Sequence, residues 1–227
     1  MRILLAALLL LCLFPHTLGE TKPEIHINIP EFILRLYDDN QLVKEYPVAL
    51  GTPYEQTPTG RYIIFYKEKY PTWVPGSGFD DKTPVPPGIA NPLGSRWMEF
   101  KPAYGIHGTN KNWDIEYPVS GGCIRMYNAD VEELYEIVEI GTPVIITYKV
   151  LFLAERDQAV YLTVFPDIYN QKLITKENVL ELFKLYANRY KLLPNWTLPT
   201  NLREKYEGKI AVKTSDKPDL PKKLPQR

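Results

Sequence analysis

The sequence predicts a mostly-β fold: a sandwich or barrel of short consecutive strands, with one short helix after the central strand and a small α/β extension at the C-terminal end. Three observations carry that reading. Apolar and polar residues alternate with period two across much of residues 24 to 66, and turn-forming clusters break the runs. Prolines number 21 and tyrosines 16 in 227 residues, with few long apolar runs, as in a strand-and-loop protein with many turns. Helical spacing recurs at two places, Val131-Leu134-Tyr135-Val138 and Val179-Leu182-Phe183-Tyr186.

In chain order, residues 1–19 read as a secretory signal: Met1-Arg2, an apolar run from Ile3 to Phe14, then Pro15 and a Thr17-Leu18-Gly19 ending. The run is too short to span a bilayer, and no membrane span is expected once it is cleaved. Glu24 to Ile29 and Glu31 to Tyr37 read as strands, Asp38 to Gln41 as a turn, and Leu42 to Leu50 as the returning strand. Gly51 to Gly60 is a loop and Arg61 to Tyr66 another strand. Tyr70 to Phe100, dense in proline and glycine yet holding Trp73 and Trp97, reads as a lid or groove wall.

Val131 to Val138 predicts a helix capped by Asn128 or Asp130 and ended by Gly141, followed by a strand over Pro143 to Val150. The extension, 150–212, offers a strand over Ala159 to Phe165 and an amphipathic helix over Thr175 to Tyr190. It reads as too small for a core of its own. Residues 213–227, with four lysines and three prolines, read as a disordered tail.

Charge and histidine content exclude two function classes. Lys+Arg and Asp+Glu are equal at 27 each, so no electrostatic case exists for nucleic acid. Outside the signal the histidines are His26 and His107, and neither sits in a cluster with metal-ligand spacing, so neither metal nor cofactor is expected.

One stretch carries chemistry. His107 precedes Cys123 by sixteen residues. A thiol, with an ordinary pKa of about 8.5, needs a base or a positive charge to act near neutrality, and His107 and Arg125 are candidates for each. Gly121 and Gly122 clear space for a substrate backbone and leave N–H groups for a developing oxyanion. A lone cysteine is also commonly a small buried apolar residue. The residues alone leave both readings open.

His107-Gly108-Thr109 followed by Ser120-Gly121-Gly122-Cys123-Ile124-Arg125 resembles the signature of the L,D-transpeptidase catalytic domain. Gly51-Thr52-Pro53, Thr57-Pro58-Thr59-Gly60, Pro87-Gly88, Asn91-Pro92-Leu93-Gly94 and Tyr104-Gly105-Ile106-His107 follow the same family order, and the resemblance covers residues 24–149. One departure stands out: the residue before the Gly-Cys pair is commonly His in that family and is Gly121 here.

The resemblance implies a peptidoglycan L,D-transpeptidase. Cys123 is its nucleophile, His107 its general base and acid, and the backbone carbonyl of Gly108 the group that orients His107. The N–H groups of Gly122 and Cys123 form the oxyanion hole. Arg125, Tyr104, Thr109, Ser120 and Gly121 are the substrate-binding candidates, with an ordering role for Arg125 and core packing for Tyr104 as the competing readings. The implied reaction releases D-alanine from a tetrapeptide stem, passes through a thioester and forms a 3-3 cross-link between stem peptides, in the periplasm or cell wall. Carbapenems acylate this family's cysteine. Water as acceptor would give an L,D-carboxypeptidase, attack on existing cross-links a wall-editing hydrolase, and a protein lysine the attachment of a lipoprotein. A catalytically idle wall-binding module is the alternative outside enzymology. A sortase-like enzyme fits less well, because its His lies farther upstream and its Arg well downstream.

Overall fold

The computed structural model describes residues 23–199 and 202–214. The expected signal, 1–19, and all but two residues of the expected tail, 213–227, lie outside the described residues.

β1 (Pro23–Asn28) and β2 (Ile33–Asp38) alternate as the sequence predicts, bury Ile25, Ile27, Leu34 and Leu36, and pair antiparallel. Asp39 and Asn40 take φ of 46° and 63°, the left-handed conformations that a tight hairpin demands and short polar residues tolerate. They lead into β3 (Gln41–Pro47), an exposed edge protected by Lys44 and Glu45. Two expected strands divide. The run to Leu50 breaks after Pro47, and β4 (Leu50–Gly51) leaves the first sheet. The run from Arg61 becomes β5 (Gly60–Ile63) and β6 (Tyr66–Lys69), because Ile64 turns fully inward and hands the chain from one sheet to the next.

The long loop is shorter than the sequence suggests. Its end is β7 (Arg96–Lys101), where Arg96, Met98 and Phe100 point inward, so Trp97 belongs to a strand rather than a lid. β7 turns through Pro102 and Ala103 into β8 (Tyr104–His107). β9 (Pro118–Ser120) pairs with β4, and β10 (Ile124–Arg125) lies parallel to β8. α1 (Asn128–Ile137) buries Val131 and Leu134. Its cap residue is Tyr127, with no side-chain capping bond; Asn128 is drawn elsewhere. The chain turns extended at Val138 before Gly141 is reached, and β11 (Pro143–Thr147) then runs parallel to β1.

The first sheet has the order β3-β2-β1-β11-β5 and the second β10-β8-β7-β6. Neither sheet closes on itself, so the architecture is a sandwich and not a closed barrel. One core joins them: Ile25, Leu36 and Val144 from the first sheet meet Met98, Ile106 and Ile124 from the second, with Leu134 of α1. A fully buried aliphatic side chain contributes about 1.5–3 kcal/mol, so this core fixes β8 and β10 in place.

The extension is richer than expected. β12 (Leu151–Arg156), β13 (Ala159–Val164), α2 (Lys176–Phe183), β14 (Tyr190–Leu192) and β15 (Tyr206–Lys213) make a sheet of order β12-β13-β15-β14 with a helix. Val160, Leu162, Val179, Phe183 and Ile210 form a second buried cluster, which corrects the reading that this piece lacks a core. Thr175 caps α2 by accepting from Asn178 N–H at 3.1 Å. The helix stops at Phe183 instead of Tyr190, because the chain turns, with Tyr186 N–H on the Phe183 carbonyl at 2.8 Å, to enter β14. Lys213, read from the sequence as tail, closes β15.

Candidate active site

Parallel pairing of β8 and β10 builds the site. Ile106 lies opposite Ile124 and His107 opposite Arg125. Strand alternation sends the two isoleucines, both fully buried, into the core and sets His107 and Arg125 on the other face. Cys123 precedes β10 by one residue, so the same alternation puts it on the face of His107 and Arg125, beside Gly105. Sixteen residues of sequence thus reduce to two adjacent strand ends.

His107 is 3% exposed. Its Nδ1–H donates to the Gly108 carbonyl at 2.6 Å, which in a neutral imidazole leaves Nε2 as the proton acceptor. Burial, and after it the positive charge of Arg125, push its pKa down to about 4 against the opposing pull of the Gly108 and Leu93 carbonyls. The ring is therefore neutral at pH 7. Trp97, directly across from His107 in the β7–β8 pair, stacks on it at 5.6 Å and 30°. The same indole covers Gly105, where a Cβ would come within 2.7 Å of it, so this glycine is required by close packing.

Cys123 is a free thiol, half-buried. Its Sγ–H points to the Ala103 carbonyl at 3.6 Å, and no hydrogen bond joins it to His107 among the described residues. Burial raises its pKa, opposed by the Gly105 backbone and Arg125 and aided by Glu99. Near pH 7 both groups are thus uncharged, a thiol at Cys123 and an imidazole at His107.

The turn before Cys123 is tightly braced. Ser120 Oγ accepts from Gly122 N–H at 3.1 Å and donates to the Cys123 carbonyl at 2.6 Å. Ser120 is 1% exposed, and both bonds of its hydroxyl brace the turn. Of the two oxyanion donors expected from the sequence, the Gly122 N–H is already engaged by Ser120. The Cys123 N–H has no partner among the described residues. Gly122 supplies shape: its φ is +103°, and a Cβ would meet the Tyr104 ring at 2.6 Å. Gly121 is exposed, with the Glu55 carboxylate 3.8 Å from where a side chain would start.

The remaining expected residues separate into two groups. Tyr104 packs on Gly122 beneath Lys101, whose Nζ lies 4.6 Å from the ring centre, so packing accounts for it. Arg125 pairs with Asp114 and thereby holds the 3-10 turn at Asn112–Asp114, while its buried Nε has no hydrogen-bond partner among the described residues. Thr109 is 1% exposed; its Oγ1 accepts from Lys111 N–H at 3.0 Å and its carbonyl accepts from Asn128. Asn110 donates to the Ala90 carbonyl at 2.9 Å.

Sequence reasoning missed Trp97, Asp114 and Asn128. Asn128 Oδ1 accepts from Ser95 N–H at 3.1 Å and its Nδ2 donates to the Thr109 carbonyl at 2.9 Å, so it ties the start of β7 to the residue after Gly108. A Cβ on Gly108 would fall 2.1 Å from that same oxygen. Its place three residues after Arg125, at the start of a helix, is the one sequence signal for it. Among the described residues no group of three or more His, Cys, Asp or Glu side chains is placed to hold a metal ion.

Compared with known proteins, residues 22–146 match the family described as the L,D-transpeptidase catalytic domain, YkuD. The chain is 44% identical over 130 residues to YkuD of Bacillus licheniformis, which bears an L,D-transpeptidase name; the match covers 56% of this chain and 68% of that protein. It is 38% identical over 123 residues to YkuD of Bacillus subtilis, covering 54% of this chain and 64% of the relative. An L,D-transpeptidase structure from Mycobacterium smegmatis aligns with a TM-score of 0.48 at 16% identity, covering 56% of this chain and 59% of that one.

Proposed function

This chain belongs to the L,D-transpeptidase catalytic domain family, and from that premise we propose that it is a cysteine-dependent acyltransferase that forms 3-3 cross-links in peptidoglycan. Cys123 attacks the carbonyl of the L-centre amide that precedes the terminal D-alanine of a tetrapeptide stem, and His107 Nε2 takes the thiol proton. Negative charge gathering on the carbonyl oxygen meets the Cys123 N–H. The C–N bond breaks, His107 returns the proton to the leaving D-alanine amine, and a thioester remains. The side-chain amine of a neighbouring stem's diamino acid then attacks, His107 accepts its proton, and the thiol is regenerated as the new amide forms.

The observation that carries this reading is the setting of His107: a buried ring, held by the 2.6 Å bond from Nδ1 to the Gly108 carbonyl, on the strand face that it shares with the free thiol of Cys123. A purely structural histidine has no need of a carbonyl that fixes its tautomer beside the face of a cysteine. Arg125, held by Asp114, contributes fixed positive charge that favours the thiolate and disfavours a protonated ring. The reading places the reaction outside the cytoplasmic membrane, in the periplasm or wall, in keeping with the signal expected at 1–19. Among the described residues no helix is long and apolar enough to cross a membrane.

The test is incubation of the purified protein with defined disaccharide-tetrapeptides, beside Cys123→Ala, with products read by mass spectrometry. Dimers lacking one D-alanine are expected from the native protein and none from the variant. Loss of D-alanine without dimers would reassign the acceptor to water. Joining to a lipoprotein lysine, with no dimers, would reassign it to a protein.

A further inference from the structure

Tyr169 lies beyond the family match, 22–146, on the loop between β13 and α2. Its ring does not join the extension's own cluster. It enters the core of the catalytic sandwich, where it is 7% exposed and stacks on Tyr148 at 5.2 Å and 17°. The Tyr148 hydroxyl accepts from Tyr169 N–H at 2.8 Å and donates to Asp167 at 2.6 Å, so the two tyrosines form a latch.

The Tyr169 hydroxyl closes the loop Gly51–Thr57 from behind. It donates to the Gly51 carbonyl at 3.0 Å and accepts from Thr57 N–H at 3.1 Å, while Gly51 N–H donates to Thr57 Oγ1 at 2.9 Å. The front of the same loop meets the turn that carries the nucleophile. Thr52 N–H donates to the Ser120 carbonyl at 3.0 Å, and the Gln56 carbonyl lies 3.0 Å from where a Cβ on Gly122 would be. One phenol from outside the family's domain thus stands directly behind the wall against which Ser120–Cys123 is folded.

We propose that Tyr169 is a positioning residue for acyl transfer: it holds Gly51–Thr57 against the Ser120–Cys123 turn and so aims the Cys123 N–H at the oxyanion. The inference rests on the acyl-transfer reading above and gives the C-terminal extension a part in it. Tyr169→Phe keeps the ring and its stacking and deletes both hydroxyl bonds, which releases the loop without emptying the core.

The experiment compares this variant with native protein in two reactions of the same thiol. Carbapenem acylation, followed by intact mass, passes through an oxyanion; alkylation by iodoacetamide does not. Tyr169→Phe is expected to lower the acylation rate constant at saturating carbapenem by about ten-fold or more, with the half-saturating concentration and the alkylation rate within about two-fold of native. Tyr148→Phe, which loosens the latch one contact farther out, is expected to show a smaller loss in the same step and carries the test if Tyr169→Phe does not fold. Unchanged acylation in the folded variant overturns the proposal, as does a parallel fall in acylation and alkylation that tracks the melting temperature. Native protein that alkylates but takes no carbapenem overturns the acyl-transfer reading itself, and the role of Tyr169 with it.

Discussion

At the scale of single residues the chemistry depends on where one proton sits. His107 is buried and its pKa falls to about 4, while burial lifts that of Cys123. Acylation of Cys123 is therefore expected to hold a plateau down to about pH 5 and to halve near pH 4, instead of near the ordinary histidine value of about 6.5. His107→Gln removes the base, so its rate at pH 7 should fall at least about 100-fold and then recover as rising pH ionises the thiol directly. A variant whose rate stays flat with pH would deny His107 that role. The same shift sets an acid limit on stability. The unfolded chain takes up this proton near pH 6.5 and the folded one only near pH 4, so stability is full above 6.5 and declines as pH falls through that window, by up to about 3 kcal/mol from this one ring. Denaturant titrations at pH 7 and pH 4.5 would measure it, and an unchanged midpoint would contradict the burial argument.

Among elements, α1 and the strand ends it clamps decide whether His107 is held. Asn128→Ala leaves the Ser95 N–H and the Thr109 carbonyl without their partner, a cost of about 1–3 kcal/mol, and frees the Gly108 carbonyl to drift from Nδ1. Thermal unfolding and acylation should both register the change; a variant that loses neither would show that the clamp is idle. Gly94→Ala should be costlier, since φ there is +64° and the new Cβ would meet the Gly108 backbone at 2.7 Å. Such couplings explain what the sequence could and could not disclose. β1 and β2 were legible because one face is buried and alternation follows from it. The break at Ile64 was not, because Tyr62 to Tyr66 is apolar throughout and carries no period that separates two strands. β7 was hidden behind a proline- and glycine-rich stretch, and Asn128 looked like a cap because its pull toward Ser95 and Thr109 is a tertiary fact. His107 and Cys123 stand out in the sequence through their motif, whereas the pairings of Trp97, Asp114 and Tyr169 are tertiary contacts that no local spacing reveals.

Taken whole, the molecule is a sandwich joined to an extension with a core of its own. Equal numbers of acidic and basic residues, 27 each, leave it without a net field to draw it to anionic wall polymer. Binding of Cys123→Ala to isolated wall material is thus expected to change little between about 0.05 M and 0.5 M salt, and a steep loss in co-sedimentation would point to a charged docking surface. Whatever the acceptor, every step assigned here passes through an acyl group on one sulfur. The most direct test is intact mass after exposure to a carbapenem, with peptide mapping of the adduct, for native protein and Cys123→Ala. One adduct, located on Cys123 and missing from the variant, is the expected result. No adduct, or one that persists in Cys123→Ala, would contradict the assignment of Cys123 as the nucleophile.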